Sequence, residues 1–220
     1  MKKTLLILAV MIAANFSFAQ MSEKFVKAME AKVPAVDTTY TPENLVELGN
    51  AFERIADAEK NQWLPYYYAA LCNANAGILM VGSDIMSAKS EKTDPFADKA
   101  EGLLNKAEAL SKDNSEIFIV KKMIATLRLM GDPMSRYMTY GPEAAEALAK
   151  AKSLNPENPR VYLLEGQDKF YTPEEFGGSK SEAKVLFETA IKKYEAFKTE
   201  TSIHPSWGLP ATKYFQSQIQ

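Results

Sequence analysis

"AAEALAKAKSLNPENPRVYLLEGQDKF", residues 144–170, carries a helix rich in small residues into a proline-broken turn and straight out into a second helical pattern. Its first half sets Ala144, Ala145, Ala147, Leu148, Ala151 and Leu154 at three- and four-residue spacing, which gathers them into one stripe. The stretch decides the fold because it recurs. A small–x₃–large–x₂–small pattern occurs at Ala100, Leu104 and Ala107, at Ala144, Leu148 and Ala151, and at Ala183, Phe187 and Ala190. Small residues at this spacing let two helices approach closely, and the large residue fills the gap between them. The first two copies are followed by a polar turn, "SKDNSE" or "LNPENP", and then by an aromatic-bearing helix at "IFIV" or "VYLLEG". The step from Ala107 to Phe118 and from Ala151 to Tyr162 is 11 residues in both cases.

The rest of the chain from residue 21 onward is helical in period, and no stretch alternates like a half-buried strand for more than a few residues. An all-α domain follows. Prolines and glycines punctuate it at Pro65, Gly82, Pro95, Gly131–Pro133, Gly141–Pro142, Pro156, Pro159, Gly177–Gly178 and Pro205.

These features resemble the tetratricopeptide repeat family, in which pairs of antiparallel helices stack into a right-handed superhelix. The resemblance rests on "Y-x₂-E-G" at Tyr162–Gly166, "A-x₃-F" at Ala183–Phe187 and "LNP" at Leu154–Pro156, and covers roughly residues 60–200. It implies a solenoid of about three helix pairs. The first helices bear Tyr68, Phe118 and Tyr162, and the second carry Ala100, Ala144 and Ala183. These positions stand 32, 26 and 21 residues apart, more than the family's spacing, which implies inserted loops near 82–96, 131–141 and 171–181 on one edge of the stack. Lys121 and Lys122 depart from the pattern, standing where the family has leucine and glycine. The chain is also similar to exported tetratricopeptide proteins of Bacteroidota-type bacteria through "WLPYYYAAL", "DPMSRY", "FGGSK" and "HPSWG", a likeness that implies a fold but no established activity. Capping helices are expected at both ends. Leu45, Leu48, Phe52 and Ile55 give one apolar face, and Trp207, Leu209, Tyr214 and Phe215 supply the other cover.

Residues 1–19 read as a cleaved export signal: Lys2 and Lys3, an apolar run from Leu5 to Ala14, then small Ser17 and Ala19. That run is too short to span a bilayer, which needs about 20 residues. The expected cut falls after Ala19. Gln20 follows it where a lipid anchor needs cysteine, so residues 20–220 are expected as one unanchored domain, in the periplasm rather than outside the cell. The full chain carries 26 Lys and Arg against 28 Asp and Glu. Loss of the two leader lysines makes the balance more acidic, which disfavours a nucleic-acid partner. Cys72 has no cysteine to pair with and sits in an apolar helical stretch, so it is expected as a small core residue.

The residues that attract a binding reading are aromatic. Arg136, Tyr137 and Tyr140 lie in "DPMSRYMTYGP", and Tyr171 and Phe176 lie in "YTPEEFGGSK". Aromatics and arginine supply strong contacts in binding sites. The preferred reading is that these rings anchor the loops, with Ser179 or Ser181 capping the next helix. A ligand role stays open because both insertions share one edge. Consecutive Tyr66, Tyr67 and Tyr68 cannot all face a core on an ordinary amphipathic helix, so Tyr66 or Tyr67 is expected to line a groove. His204 and Trp207 complete the candidate set. One histidine and one distant cysteine do not make a metal site, and no cofactor is expected.

No nucleophile elbow, phosphate-binding glycine loop or paired-histidine helix is present, so no catalytic residue is assigned and an enzyme is not expected. Glu165 and Asp168, three apart on one helical face, are read as solvated. The leading expectation is an exported scaffold that holds a peptide or protein partner in its concave groove. The alternative is a small-molecule or glycan-binding protein, with a pocket formed by the inserted aromatic loops.

Overall fold

The computed structural model describes residues 21–82 and 88–219; the expected export signal at 1–19 and residues 83–87 of the first insertion lie outside them. Among the described residues there are nine α-helices and no strand. These are α1 (Glu23–Glu30), α2 (Pro42–Glu59), α3 (Trp63–Val81), α4 (Ser90–Leu110), α5 (Ser115–Gly131), α6 (Pro133–Leu154), α7 (Pro159–Tyr171), α8 (Lys180–Ala196) and α9 (Leu209–Ser217), with 3-10 turns at Val33–Asp37 and Glu174–Phe176.

Local chemistry starts these helices where the sequence changes from polar to periodic. The side chains of Thr41, Asn114, Asp132, Asn158 and Ser179 each accept a hydrogen bond from a backbone N–H two or three residues on, satisfying one of the free donors of the first turn. Ser179, rather than Ser181, thus caps α8. Pro42, Pro133 and Pro159 stand at the first helical position, where the missing N–H costs nothing.

Each helix packs along its neighbour in the chain, α2 on α3, α3 on α4, α4 on α5, α5 on α6, α7 on α8 and α8 on α9, and α3 also touches α5 directly. The junctions of α1 with α2 and of α6 with α7 are the exceptions. Little more than the turn at 155–158 joins α6 to α7. The repeated small residues do what their spacing asks: Ala100, Ala107, Ala151, Ala183 and Ala190 are fully buried. The family-like glycine and phenylalanine meet in space. A Cβ on Gly166 would fall 2.5 Å from the Phe187 ring, so the ring seats directly on the α7 backbone. Burying a side chain of this size contributes about 2–3 kcal/mol.

Two expectations change. The insertion at 131–141 is helix, not loop: α6 runs unbroken through Gly141 and Pro142, the proline removing only one backbone hydrogen bond from a helix braced along α5. Tyr66, Tyr67 and Tyr68 are all buried, at 7%, 0% and 0% exposure. The reason is enclosure of α3 on every side, by α2, α4, α5 and the C-terminal segment. Phe52 of α2 stacks on Tyr68 at 5.0 Å, and Tyr68 donates to the Ile203 carbonyl at 3.0 Å.

The C-terminal segment closes the molecule on itself. Gly208, at φ +109° where a Cβ would be strained, donates its N–H to Asp37 at 2.9 Å. Burial raises the pKa of Asp37 despite that hydrogen bond and the nearby Arg160. Ser202 donates to Glu30 of α1.

Candidate functional site

Polar side chains collect in two places. The first is where the N-termini of α3, α5 and α7 converge under residues 203–208. Arg160, with no solvent exposure, donates through Nε to both Glu116 oxygens at 2.9 and 3.1 Å and through Nη1 to the Trp207 carbonyl at 3.3 Å. Tyr67 and Asn158 donate to the same carboxylate at 2.9 and 2.7 Å, and the Trp207 indole donates to the Tyr67 hydroxyl at 2.8 Å. Burial by itself disfavours the Arg160 charge, but Glu116 outweighs it and holds the guanidinium protonated. Burial foremost, with the Glu116 charge, pushes the Tyr67 hydroxyl well above its ordinary range. Among the described residues no buried side-chain polar atom lacks a partner. A saturated cluster of this kind holds helices together and offers nothing to a ligand.

The second place is the gap between α6 and α7. A cleft of about 510 Å³ opens there, lined by Ala145, Leu148, Ala149, Lys152 and Ser153 of α6 and by Glu165 and Asp168 of α7. Its α6 wall is flat because the lining residues are small. The same helical face continues past the cleft at the spacing of one stripe, through Gly141 to Met138, Tyr137 and Met134. Those three side chains are 81%, 61% and 82% exposed. Together they form an exposed apolar row on one face of α6. One lysine lines the gap and a second, buried one reaches it through an ion pair. Lys152 donates to both oxygens of Glu165 at 2.9 and 3.0 Å, and Lys122 of α5, 3% exposed, donates to Asp168 at 2.6 Å. Glu165 and Asp168 are therefore ion-paired rather than merely solvated. A larger groove, about 760 Å³, runs across α4, α5 and α6, and Glu101, Glu143 and Glu146 line it together with Lys121 and Lys150.

The candidate residues from the sequence fall into three groups. Tyr66, Tyr67 and Trp207 are buried, the last two in the Arg160 cluster. His204 is held in a loop: its Nδ1 shares a hydrogen bond with Thr201 at 2.7 Å, its Nε2 lies 3.3 Å from Glu200, and burial lowers its pKa. Arg136 forms a two-point pair with Asp94 at 2.7 and 2.8 Å, with Tyr140 beside it. That guanidinium holds the Asp94 carboxyl below its usual range. Tyr137, Tyr171 and Phe176 remain exposed. Tyr137 belongs to the α6 stripe, whereas Tyr171 packs edge-on against Phe170 and Phe215 at the far end of α7. Sequence reasoning missed Glu116, Arg160 and Lys152, and passed over Lys122 as a flaw in the repeat. A charge inside the apolar run "IFIVKKMIATL" was the available signal.

Among the described residues, fold and cleft together define an all-helical protein with an open gap between α6 and α7. No family model matches the sequence, and no curated protein matches it. Among solved structures, the HusA haemophore from Porphyromonas gingivalis matches with a TM-score of 0.77 and 32% identity, over 91% of this chain and 96% of that one. The chain belongs to the family of that haemophore. Its source among the Bacteroidota agrees with the group suggested by the sequence, whereas membership of the tetratricopeptide family itself does not follow.

This finding overturns the expectation of a peptide- or protein-binding scaffold, and with it the expected peptide or protein partner. The matching protein is named for carrying haem, not for binding protein. The geometry gives a physical reason at one expected groove residue: Tyr67 is fully buried, its hydroxyl accepting from the Trp207 indole under the chain's own residues 203–208. Among the described residues no helix is long and apolar enough to cross a membrane.

Proposed function

We propose that this protein is a haem-binding carrier, exported through residues 1–19, that holds an iron tetrapyrrole in the cleft between α6 and α7. The observation that carries the reading is the 32% identity to a haemophore across 96% of that protein's length. The cleft supports it on chemical grounds. A tetrapyrrole is a flat apolar disc with two carboxylates on one edge, and the site offers a wall of small Ala145 and Ala149 with the Lys152 ammonium in its lining and Lys122 reaching it through Asp168. Its volume lies in the range of ordinary ligand pockets, roughly 300–1,000 Å³. Tyr137, Met134 and Met138 present phenol and thioether groups of the kinds that hold haem iron elsewhere, and Tyr137 would cover the disc. Tyr171 and Phe176 are read as a secondary apolar surface. The helix pairs are read as a tetratricopeptide-like solenoid, supported by burial of Ala100, Ala144 and Ala183 at matching positions.

Titration with haem, followed by the Soret band and by tryptophan fluorescence, tests the reading. Saturable one-to-one binding is expected, and Ala145→Trp, which fills the cleft from an exposed position, should weaken it at least tenfold without lowering the melting temperature. Absence of saturable binding, or binding untouched by Ala145→Trp, would overturn it.

A further inference from the structure

We infer that Lys122 and Lys152 are the receptors for the ligand's two carboxylates, and that the ligand binds by displacing Asp168 and Glu165 from them. This rests on the haem reading of the cleft. The first helices α3, α5 and α7 share a register set by Tyr68, Phe118 and Tyr162. Four residues on, α3 has Cys72 and α7 has Gly166, both buried and small, but α5 has Lys122. Burying a lysine costs side-chain entropy and hydration, and such groups persist where something uses them.

Its bonding is incomplete for an ammonium group. Lys122 carries three N–H donors, and among the described residues it makes one side-chain hydrogen bond, to Asp168, whose own side chain is 49% exposed. Donor capacity therefore remains beside a cleft that Asp168 itself lines. At the other end, Lys152 is 43% exposed and pairs with Glu165. The two acids stand one helical turn apart on α7, with Cβ atoms about 5–6 Å from each other, so they hold the two lysines at neighbouring positions. A haem likewise carries its carboxylates side by side on one edge.

The exchange is balanced in charge. Each ammonium loses one carboxylate and gains another, while the released Asp168 and Glu165 face water. Net attraction is small, so the driving force for binding is burial of the ring, and the lysines supply selection for a dicarboxylate. In the free protein the acids act as stand-ins for the ligand and keep the ammoniums from collapsing onto other groups.

Comparing haem with its dimethyl ester separates this device from ordinary structural ion pairs. The wild-type protein should prefer the free acid. Lys122→Met, whose side chain matches the length of the buried stem, should shrink the acid-over-ester preference about tenfold, the size of one charge-assisted hydrogen bond, and Lys152→Met should act in the same direction. Asp168→Asn removes the competitor, and should tighten haem binding several-fold. A structural pair would give the opposite result for Asp168→Asn and leave the preference unmoved. Equal binding of acid and ester by the wild type, or an unchanged preference in Lys122→Met, would overturn the inference while leaving haem binding intact. Failure of the wild type to bind either compound would remove both readings.

Discussion

Replacing Arg160 by methionine tests whether the buried cluster under Trp207 ties the helix blocks together. The substitution keeps the stem's packing and removes the guanidinium, which lies at 0% exposure. It deletes three contacts to the Glu116 carboxylate and one to the Trp207 carbonyl. Glu116 is left with Tyr67 and Asn158 as donors, its side chain 12% exposed. Orphaning one partner of a buried pair costs about 3–5 kcal/mol, and two surviving donors place this case at the low end, about 3 kcal/mol. For a domain of this length that is a fall of roughly 6–12 °C in melting temperature. Urea unfolding followed by circular dichroism and by tryptophan fluorescence gives the free energy directly. The double variant Arg160→Met/Glu116→Leu removes both charges and should recover stability to within about 1–2 kcal/mol of wild type, because a pair's desolvation cost disappears with the pair. If Arg160→Met alone stays within about 1 kcal/mol of wild type, the cluster is not a clamp and the reasoning fails.

Two further outcomes follow from single positions. Gly166→Ala drives a Cβ to 2.5 Å from the Phe187 ring, and overpacking of this kind costs about 1–3 kcal/mol; urea midpoints would show it, and an unchanged midpoint would mean that α8 moves away freely. His204 has a pKa held below its ordinary value of 6.5 by burial, so the unfolded chain takes up a proton before the folded one does. Stability contributed by the neutral ring is complete above about pH 6.5 and declines as pH falls towards the folded pKa. His204→Gln should flatten that slope in thermal melts between pH 5 and 7, and an identical slope in the variant would assign it to other groups.

The all-helical fold was legible in the sequence because it is written in spacing. Ala144, Leu148 and Ala151 and their two echoes specify both a helical period and a close-approach face, and the structure buries all nine residues as the pattern asks, while Ala145 of the same stretch stays exposed. What spacing does not carry is which side of a helix is covered by something distant in the chain. Tyr66 and Tyr67 look like groove residues until residues 203–208 return across the N-termini of three helices, 135 residues away in the Tyr68–Ile203 hydrogen bond. The same return hides Trp207. The helical extension of α6 was misread as a loop for a related reason: Gly141–Pro142 is a breaker in isolation, but a long neighbouring helix supplies packing that local propensity omits. The α6–α7 gap was the hardest feature to foresee, since it arises from contacts that are missing rather than made. Its one trace in the sequence is Lys122, which breaks the repeat where its counterparts Cys72 and Gly166 keep it. Local rules fail where a site imposes its own demand. A charged residue that the repeat should have excluded therefore points to the cleft better than any aromatic in the insertions does.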